Sequence, residues 1–324
     1  MKKLWRSYNA WQGVCLCVFV LLTPTTGLSI ILHPTGEPNL LTWTDRPVNA
    51  VVGRWSSNAS FVVVSPKWII TTRHQNSNPA TVNINGVTYN CIYNPRWIGG
   101  TIGSANGSYD IRLIRLKNLD GSDPNLAYAP PYTDTDEIYK DIVIGGYGQH
   151  RGTTLSNGYS WTGSNDTLRW GQNIIEGYQL YPTVETVYAD FDLNGRPYEA
   201  APAMYDSGGG WFINQGGIWK LAALTVSVQR LYETWFGDTF WGARISSYAP
   251  WINGIINSPA DYPVGDLNRD SKVDEFDFAI FTSQWLRTDC VNGTLLSCEG
   301  ADFQANGKVN FADSAIFAQN WLMD

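Results

Sequence analysis

Short runs of apolar and β-branched residues recur from about residue 51 to residue 240, and clusters of glycine, asparagine, serine and proline separate them. The clearest runs are residues 61–64, 68–72, 111–116 and 142–144. Short strands bounded by turn residues, with few helical periods, are typical of an all-β sandwich or barrel. The pattern therefore predicts an all-β body with one helix near its end, around residues 246–256.

The character of the sequence changes after this body. Residues 258–265 hold two prolines and show no amphipathic period, which predicts a linker. Two similar segments follow in residues 266–324, each an acidic loop and then an apolar helix. The pattern thus predicts a body over residues 28–257 and a small α-helical module over residues 266–324.

The first 27 residues have the features of an export signal. Three basic residues lie within the first six positions, an apolar run covers residues 14–22, and small residues follow at 25–27. The alternative is a membrane anchor, but a spanning helix needs about 20 apolar residues. We therefore expect cleavage of residues 1–27, a secreted or cell-surface protein, and no membrane span after cleavage.

Composition and charge narrow the function classes. The chain has 324 residues, 14% aromatic and 16% charged, as expected of a packed globular protein. A formal net charge of -7 argues against a nucleic-acid partner. Two of the five cysteines lie in the signal; Cys290 and Cys298 are candidates for a disulfide in an oxidising compartment, and Cys91 fits a buried small hydrophobe better than a nucleophile.

Three local patterns contain residues suited to nucleophilic catalysis. His74 ends a β-rich run, Asp110 opens an apolar strand, and Ser207 lies in the glycine-rich turn 206–209. A serine hydroxyl is a weak nucleophile until a neighbouring imidazole takes its proton, and a buried carboxylate fixes the imidazole tautomer. Each pattern alone also has a purely structural explanation. His74 could be a hydrogen-bonded histidine at a strand end, Asp110 a turn or strand-start residue, and the turn 206–209 only a tight loop. Their joint occurrence, in this order, favours a catalytic triad.

These motifs resemble the trypsin/chymotrypsin family (peptidase S1) over roughly residues 40–257. Residues 68–74 resemble the family's segment around the catalytic histidine, residues 110–113 its aspartate strand, and residues 206–209 its Gly-Asp-Ser-Gly-Gly loop. Residues 146–148 and 240–252 resemble its Gly-Trp-Gly turn and its last strand and helix. The resemblance implies two six-stranded β-barrels with a C-terminal helix and the active site between them.

The resemblance also implies a role for each site residue. His74 is the general base, Asp110 the orienting carboxylate and Ser207 the nucleophile. The backbone N–H groups of Tyr205 and Ser207 form the oxyanion hole, and Ala201 forms the floor of the substrate pocket. Since Ala201 is not acidic, an apolar or small substrate residue is expected there rather than lysine or arginine.

Several positions depart from the family pattern. Tyr205 replaces the oxyanion-hole glycine, and Gln75 replaces the cysteine after the histidine, so that disulfide is absent. Asp206 occupies the position of the aspartate that pairs with a new N-terminal amine after activation. No activation sequence is visible, so Asp206 is expected to pair either with the terminus exposed by signal removal or with an internal arginine.

The acidic loops lie 36 residues apart and have the spacing of a calcium site. Both carry oxygen-bearing side chains at positions 1, 3, 5, 9 and 12, and position 7 supplies a backbone carbonyl, as in an EF-hand-type loop. The predicted ligands are Asp266, Asn268, Asp270, Lys272, Asp274 and Asp277 in the first loop, and Asp302, Gln304, Asn306, Lys308, Asn310 and Asp313 in the second. Two loops in register, each followed by Trp-Leu, favour two Ca²⁺ sites over an acidic solvated face.

The paired loops resemble a type I dockerin, which implies docking to a cohesin-like scaffold or to a cell-surface partner. The whole sequence therefore predicts a secreted serine endopeptidase acting on a protein or peptide substrate through an acyl-enzyme. The alternative is a catalytically silent binding protein on a protease fold. An esterase is disfavoured because nothing resembles the strand–Gly-x-Ser-x-Gly–helix elbow. The peptidase chemistry needs no cofactor.

Overall fold

The computed structural model describes residues 30–34, 42–75, 77–94, 97–99, 110–163, 166–181, 184–257, 263–268, 272–290, 297–304 and 306–322. The predicted signal (1–27), most of the predicted linker (258–262) and the predicted ligand Asp270 lie outside these residues. Within the described residues the chain is mostly β, with eighteen strands and three α-helices. The predicted β body is confirmed.

The strands are β1 (Ile31–Leu32), β2 (Val52–Trp55), β3 (Ala59–Ser65), β4 (Trp68–Thr71), β5 (Thr81–Ile84), β6 (Val87–Ile92), β7 (Arg112–Lys117), β8 (Asp141–Gly146), β9 (His150–Leu155), β10 (Gly158–Thr162), β11 (Arg169–Ile174), β12 (Gly177–Tyr181), β13 (Val184–Asp190), β14 (Ala200–Ala201), β15 (Gly210–Gln215), β16 (Ile218–Val228), β17 (Glu233–Trp235) and β18 (Thr239–Arg244). The helices are α1 (Ile245–Ile256), α2 (Glu275–Ser283) and α3 (Phe311–Gln319).

The first large sheet is antiparallel and has the strand order β2-β3-β4-β7-β6-β5. Its outer strands β2 and β5 lie against each other, so the sheet curls into a barrel. All seven residues of β3 are buried because both faces of this strand are covered. Phe61 and Val63 pack in the sheet's own core, whereas Val62 and Val64 pack in a cluster shared with the second sheet.

The second large sheet has the order β11-β8-β15-β16-β18-β13-β12. The predicted number of six strands is correct for the first sheet and wrong for the second, which has seven because β12 pairs with the outer side of β13. Two smaller sheets, β1-β14 and β17-β10-β9, flank it. The loop that carries Ser207 connects β14 of the small β1-β14 sheet with β15 of the second large sheet.

Helix α1 lies where the sequence predicts a helix and packs its buried face against the shared cluster, with Ile252 and Ile255 almost completely buried. No helix among the described residues is long and apolar enough to cross a membrane.

The C-terminal residues have a core of their own, formed around Val273, Phe281, Phe303, Val309 and Phe317. Two backbone bonds relate its halves with a spacing of 36 residues. Leu286 donates its N–H to the carbonyl of Val309, and Leu322 donates to the carbonyl of Val273, both at 2.9 Å. Cys290 and Cys298, which the sequence left as candidates for a disulfide, form a disulfide bond.

Candidate active site

Two neighbouring strands bring His74 and Asp110 together. Thr71 at the end of β4 pairs with Arg112 at the start of β7. His74 follows β4 and Asp110 precedes β7, so the two residues lie at the same edge of the sheet. Asp110 Oδ2 lies 2.5 Å from His74 Nδ1, and Asp110 Oδ1 accepts the backbone N–H of His74 at 2.9 Å. The carboxylate of Asp110 is completely buried.

Ser207 reaches the other side of the same imidazole from the loop between β14 and β15. Its Oγ lies 3.0 Å from His74 Nε2, and its carbonyl accepts the N–H of Ser60 at 2.8 Å. The second contact ties the loop to β3 of the first sheet. The side chain of His74 is 28% exposed, so a substrate can reach the group that Ser207 contacts. This hydrogen-bonded chain can take the hydroxyl proton of Ser207 onto Nε2 and hold the resulting imidazolium against Asp110.

Gly208 allows the loop to approach the first sheet. Its φ is +81°, and a Cβ there would lie 2.2 Å from the carbonyl oxygen of Ser60 and 2.3 Å from Thr71 Oγ1. Thr71 donates to that same carbonyl at 2.6 Å. Both the left-handed conformation and the close approach therefore require glycine.

Tyr205 has a φ of +75°, in the left-handed region that favours glycine. Within the described loop, the N–H groups of Asp206, Gly208 and Gly209 donate to backbone carbonyls, whereas those of Tyr205 and Ser207 do not. Two amides in one tight loop are thus available to an oxyanion near Ser207 Oγ. The tyrosine bears the cost of a left-handed conformation, which disfavours a Cβ by about 1–2 kcal/mol.

Replacement Tyr205→Gly is expected to leave the free energy of unfolding unchanged or to raise it by up to about 1 kcal/mol, because glycine relieves this strain. The reactivity of Ser207 should persist, since the hole uses only the backbone N–H. Urea unfolding and the rate of labelling by a serine-directed probe measure both effects. Tyr139→Gly is the matched control, with φ at +63° and 77% exposure. A folded Tyr205→Gly protein with an unreactive Ser207 would contradict this account.

Asp206 precedes Ser207 in the loop and is buried, with only 1% of its surface exposed. Oδ1 accepts the N–H of Gly148 at 2.6 Å, and Oδ2 accepts the N–H of Ala203 at 2.8 Å. Burial raises the pKa of Asp206 to about 7, although these two amides and the charge of Arg169 act in the opposite direction. Arg169 is thus an internal arginine whose charge acts on Asp206, and an internal arginine is one of the two partners that the sequence leaves open.

The pH dependence of stability follows from this raised pKa. The folded-state pKa of Asp206 exceeds its unfolded value. The stability gained by keeping Asp206 protonated in the fold is therefore complete below about pH 4 and is lost as the pH rises to about 7. Urea unfolding between these pH values should show a steeper decline for the native protein than for Asp206→Asn. Glu199 has a similarly raised pKa but is present in both proteins, so the difference isolates Asp206. An equal pH dependence of the free energy of unfolding in the two proteins would refute the raised pKa of Asp206.

Ala201 lies at the end of β14, 1% exposed, six residues before Ser207, and lines a small cavity there. It pairs across the strand with Ile31 of β1. The predicted pocket residue is therefore beside the nucleophile loop.

The predicted calcium ligands lie in two loops of matching geometry. Asp277 Oδ1 accepts the N–H groups of Leu267 (2.6 Å) and Asn268 (2.9 Å), and Oδ2 accepts that of Asp274 (3.0 Å). The second loop repeats this arrangement: Asp313 accepts from Gln304 at 3.0 Å and from Asn310 at 2.9 Å.

Other predicted ligands of the second loop also accept backbone N–H groups of that loop. Asp302 accepts the N–H groups of Asn306 (3.1 Å) and Gly307 (2.8 Å), and Asn306 Oδ1 accepts that of Lys308 (3.1 Å). Asp266, Asp277 and Asp313 are completely buried. Lys272, at position 7 of the first loop, lies within the described residues, whereas Asp270 lies outside them.

Sequence reasoning missed the residues that support the triad from a distance. Thr71 and Ser60 hold the Ser207 loop, and the charge of buried Arg169 acts on Asp206. None of them follows a local signature, although the β-branched Thr71 lies within the run that ends at His74. Cys91 is half-buried, and desolvation raises the pKa of its thiol to about 11, which keeps it protonated and unsuited to act as a nucleophile.

No protein-family model matches this sequence, and no curated protein matches it. Solved structures do match, with 844 similar chains. One of them is neuropsin, a serine protease expressed in the limbic system of mouse brain. That match has a TM-score of 0.47 and 15% sequence identity, and it covers 64% of this chain and 95% of that chain.

Proposed function

We propose that this chain is a secreted serine endopeptidase that hydrolyses peptide bonds through an acyl-enzyme on Ser207. The observation that carries the proposal is the hydrogen-bonded chain from Ser207 through His74 to buried Asp110, at 3.0 and 2.5 Å. Three residues from separate parts of the sequence meet in the arrangement that nucleophilic catalysis requires.

The reaction follows from these contacts. Ser207 Oγ attacks the peptide carbonyl while His74 Nε2 takes its proton, and Asp110 stabilises the imidazolium. The carbonyl oxygen gains negative charge and is held by the N–H groups of Tyr205 and Ser207. His74 then donates the proton to the leaving amine, and the C–N bond breaks. Water repeats the sequence on the acyl-enzyme and releases Ser207.

A silent binding protein is the second candidate, and the observation that favours it is the tyrosine at position 205, where the resemblance places the glycine of the oxyanion hole. Turnover of internally quenched peptides, compared with turnover of short esters, distinguishes a peptidase, an esterase and a silent binding protein. A peptidase cleaves the peptides with a kcat/KM that is lost in Ser207→Ala. An esterase turns over the esters alone. Binding of peptides without turnover of either substrate would support the silent protein.

The proposal for the C-terminal module is that it binds two Ca²⁺ ions. Oxygen-bearing side chains recur at positions 1, 3, 5, 9 and 12 of both loops, the spacing with which an EF-hand-type loop binds Ca²⁺, and the carboxylates of Asp266, Asp277 and Asp313 are completely buried. The donor set consists of carboxylate and amide oxygens, the hard ligands that Ca²⁺ prefers. The residues present therefore fit the ion, with the backbone carbonyls of Lys272 and Lys308 completing each set.

Calcium is expected to stabilise this module by about 2.7 kcal/mol for each occupied site at a free concentration 100 times the dissociation constant. Titration calorimetry of the whole chain should show binding of two ions. Scanning calorimetry should show that calcium raises the melting temperature of one transition and that EDTA reverses this rise. The double variant Asp266→Ala/Asp302→Ala should lose both effects while Ser207 stays reactive. Unchanged melting with and without calcium would refute the proposal.

The same module is proposed to dock the enzyme to a cohesin-like scaffold or a cell-surface partner. Its resemblance to a type I dockerin supports this, as do several large apolar side chains that it exposes, including Phe276, Phe311 and Leu322. Calcium-dependent binding to a scaffold fraction, lost in the same double variant, tests docking. Calcium-dependent melting without binding to that fraction would indicate a stabilising cap.

A further inference from the structure

The residues that follow α2 contact the second predicted calcium loop directly, and we call residues 286–290 the clamp segment. Val309 donates its N–H to the carbonyl of Arg287 at 2.9 Å, and Cys290 donates its N–H to the carbonyl of Gly307 at 3.2 Å. Gly307 and Val309 lie on either side of position 7, the residue whose backbone carbonyl is a predicted ligand. The clamp segment therefore fixes the backbone on both sides of that ligand.

The disulfide joins the end of the clamp segment to the turn from which the second loop begins. Cys298 lies four residues before Asp302, the first predicted ligand of that loop. Cys298 and Glu299 have φ values of +48° and +51°, in the left-handed region that disfavours side chains. The carbonyl of Cys298 accepts the N–H of Ala301 at 2.8 Å. The covalent bond to Cys290 thus holds a turn of unfavourable conformation at the entrance of the loop.

This covalent constraint acts on the second loop and has no counterpart at the first. Cys290 and Cys298 are buried in the core of the module and are the only cysteines of residues 266–324. The corresponding contact of the first loop is the bond from the N–H of Leu322 to the carbonyl of Val273. Leu322 follows α3, and no disulfide ties that end of the module to the first loop.

The second loop is also the one with fewer charged ligands. Among the predicted side-chain ligands, the first loop has four aspartates, whereas the second has two aspartates and three amides. The affinity of an EF-hand-type loop depends on the number of ligand charges and on the rigidity of the site. A loop with fewer carboxylates therefore depends more strongly on rigidity, which the clamp segment and the disulfide supply.

We propose that the Cys290–Cys298 disulfide positions the second calcium loop, so that reduction of this bond weakens calcium binding at the second loop and not at the first. The inference rests on the proposed calcium binding of the module and deepens it. Reduction requires a dithiol reductant, which gives two electrons and two protons to the S–S bond and itself becomes a disulfide. Since reduction removes no side chain, a change in affinity reports the loss of the constraint.

Titration calorimetry of two single-site proteins tests this inference. Asp302→Ala keeps only the first site, and Asp266→Ala keeps only the second. Each protein is titrated with Ca²⁺ before and after treatment with dithiothreitol, and a gain of two thiols per chain verifies reduction. Reduction should raise the dissociation constant of the second site roughly 10–100-fold, the usual cost of losing a group that orients metal ligands. The dissociation constant of the first site should change less than about twofold.

The double variant Cys290→Ser/Cys298→Ser, made in the Asp266→Ala protein, is the control for the reductant. It should bind calcium as weakly as the reduced protein, and dithiothreitol should have no further effect on it. Reoxidation of the reduced Asp266→Ala protein should restore the original affinity. An affinity that stays low after the two thiols have paired again would contradict a positioning role of the disulfide.

The outcomes distinguish this inference from the calcium proposal on which it rests. Equal affinity of the second site before and after reduction would overturn the inference and leave calcium binding intact. An equal loss at both sites would also overturn it, because the disulfide would then hold the whole module and not one loop. Absence of calcium binding by both oxidised single-site proteins would overturn the calcium proposal, and this inference with it.

Discussion

Asp110→Asn is expected to lower kcat by about 10⁴-fold without loss of the fold. The reason lies in how Asp110 is held. Its Oδ1 accepts the backbone N–H of His74 at 2.9 Å. An asparagine keeps its oxygen at that position, and its NH₂ group then faces Nδ1, which lies 2.5 Å from Oδ2 in the native protein. Nδ1 must then accept a hydrogen bond, the proton moves to Nε2, and Nε2 can no longer take the proton of Ser207.

Steady-state kinetics on a glycine- or alanine-containing peptide, with circular dichroism as the test of folding, measure this effect. Asp123→Asn is the control, because Asp123 is an exposed partner of Lys67 and Arg115 away from the triad. It should keep nearly all activity. A folded Asp110→Asn protein whose kcat falls less than tenfold would show that Asp110 does not set the tautomer of His74.

Gly208→Ala is expected to have the largest effect on stability, roughly 2–5 kcal/mol of the free energy of unfolding. Two costs add. The φ of +81° disfavours a side chain, and the new Cβ would lie 2.2 Å from the Ser60 carbonyl oxygen. That oxygen already accepts the Thr71 hydroxyl, and Ser60 donates its N–H to Ser207. A shift that relieves the clash therefore moves the nucleophile as well, and the labelling rate of Ser207 should fall.

Gly86→Ala separates the two costs. Its φ is +84°, and nothing lies within 4 Å of a Cβ built there. Only the conformational cost of about 1–2 kcal/mol should remain, with normal Ser207 reactivity. Urea unfolding of the two variants gives the difference. Equal destabilisation of the two proteins would mean that the approach of Gly208 to Ser60 is not tight.

The sequence indicated those parts of the molecule that have local signatures. Alternating short runs and turn residues predicted the β body, and the residues around His74, Asp110 and Ser207 each carried a recognisable pattern. The conformation of Tyr205 was also foreseeable, because it stands where the resemblance places a glycine. Its φ of +75° shows that the loop imposes this conformation on the residue that occupies it.

Features that depend on tertiary contacts were not predictable in the same way. Arg169 and Asp206 are separated by a long stretch of sequence, and only the folded second sheet brings the charge of one to act on the other. Phe240 belonged to a recognisable strand, but its position opposite Val228 required the register of β16 and β18. The seventh strand of the second sheet was missed because β12, with mostly exposed residues, lacks the apolar run of a buried strand.

The most direct test of the proposed catalytic role is covalent labelling of the purified protein with a fluorophosphonate, in the presence of calcium. The geometry predicts one label per chain on Ser207, no label in Ser207→Ala, and a rate reduced by several orders of magnitude in His74→Ala. A well-folded native protein that takes up no label, or that labels at the same rate without His74, would contradict an assembled nucleophile.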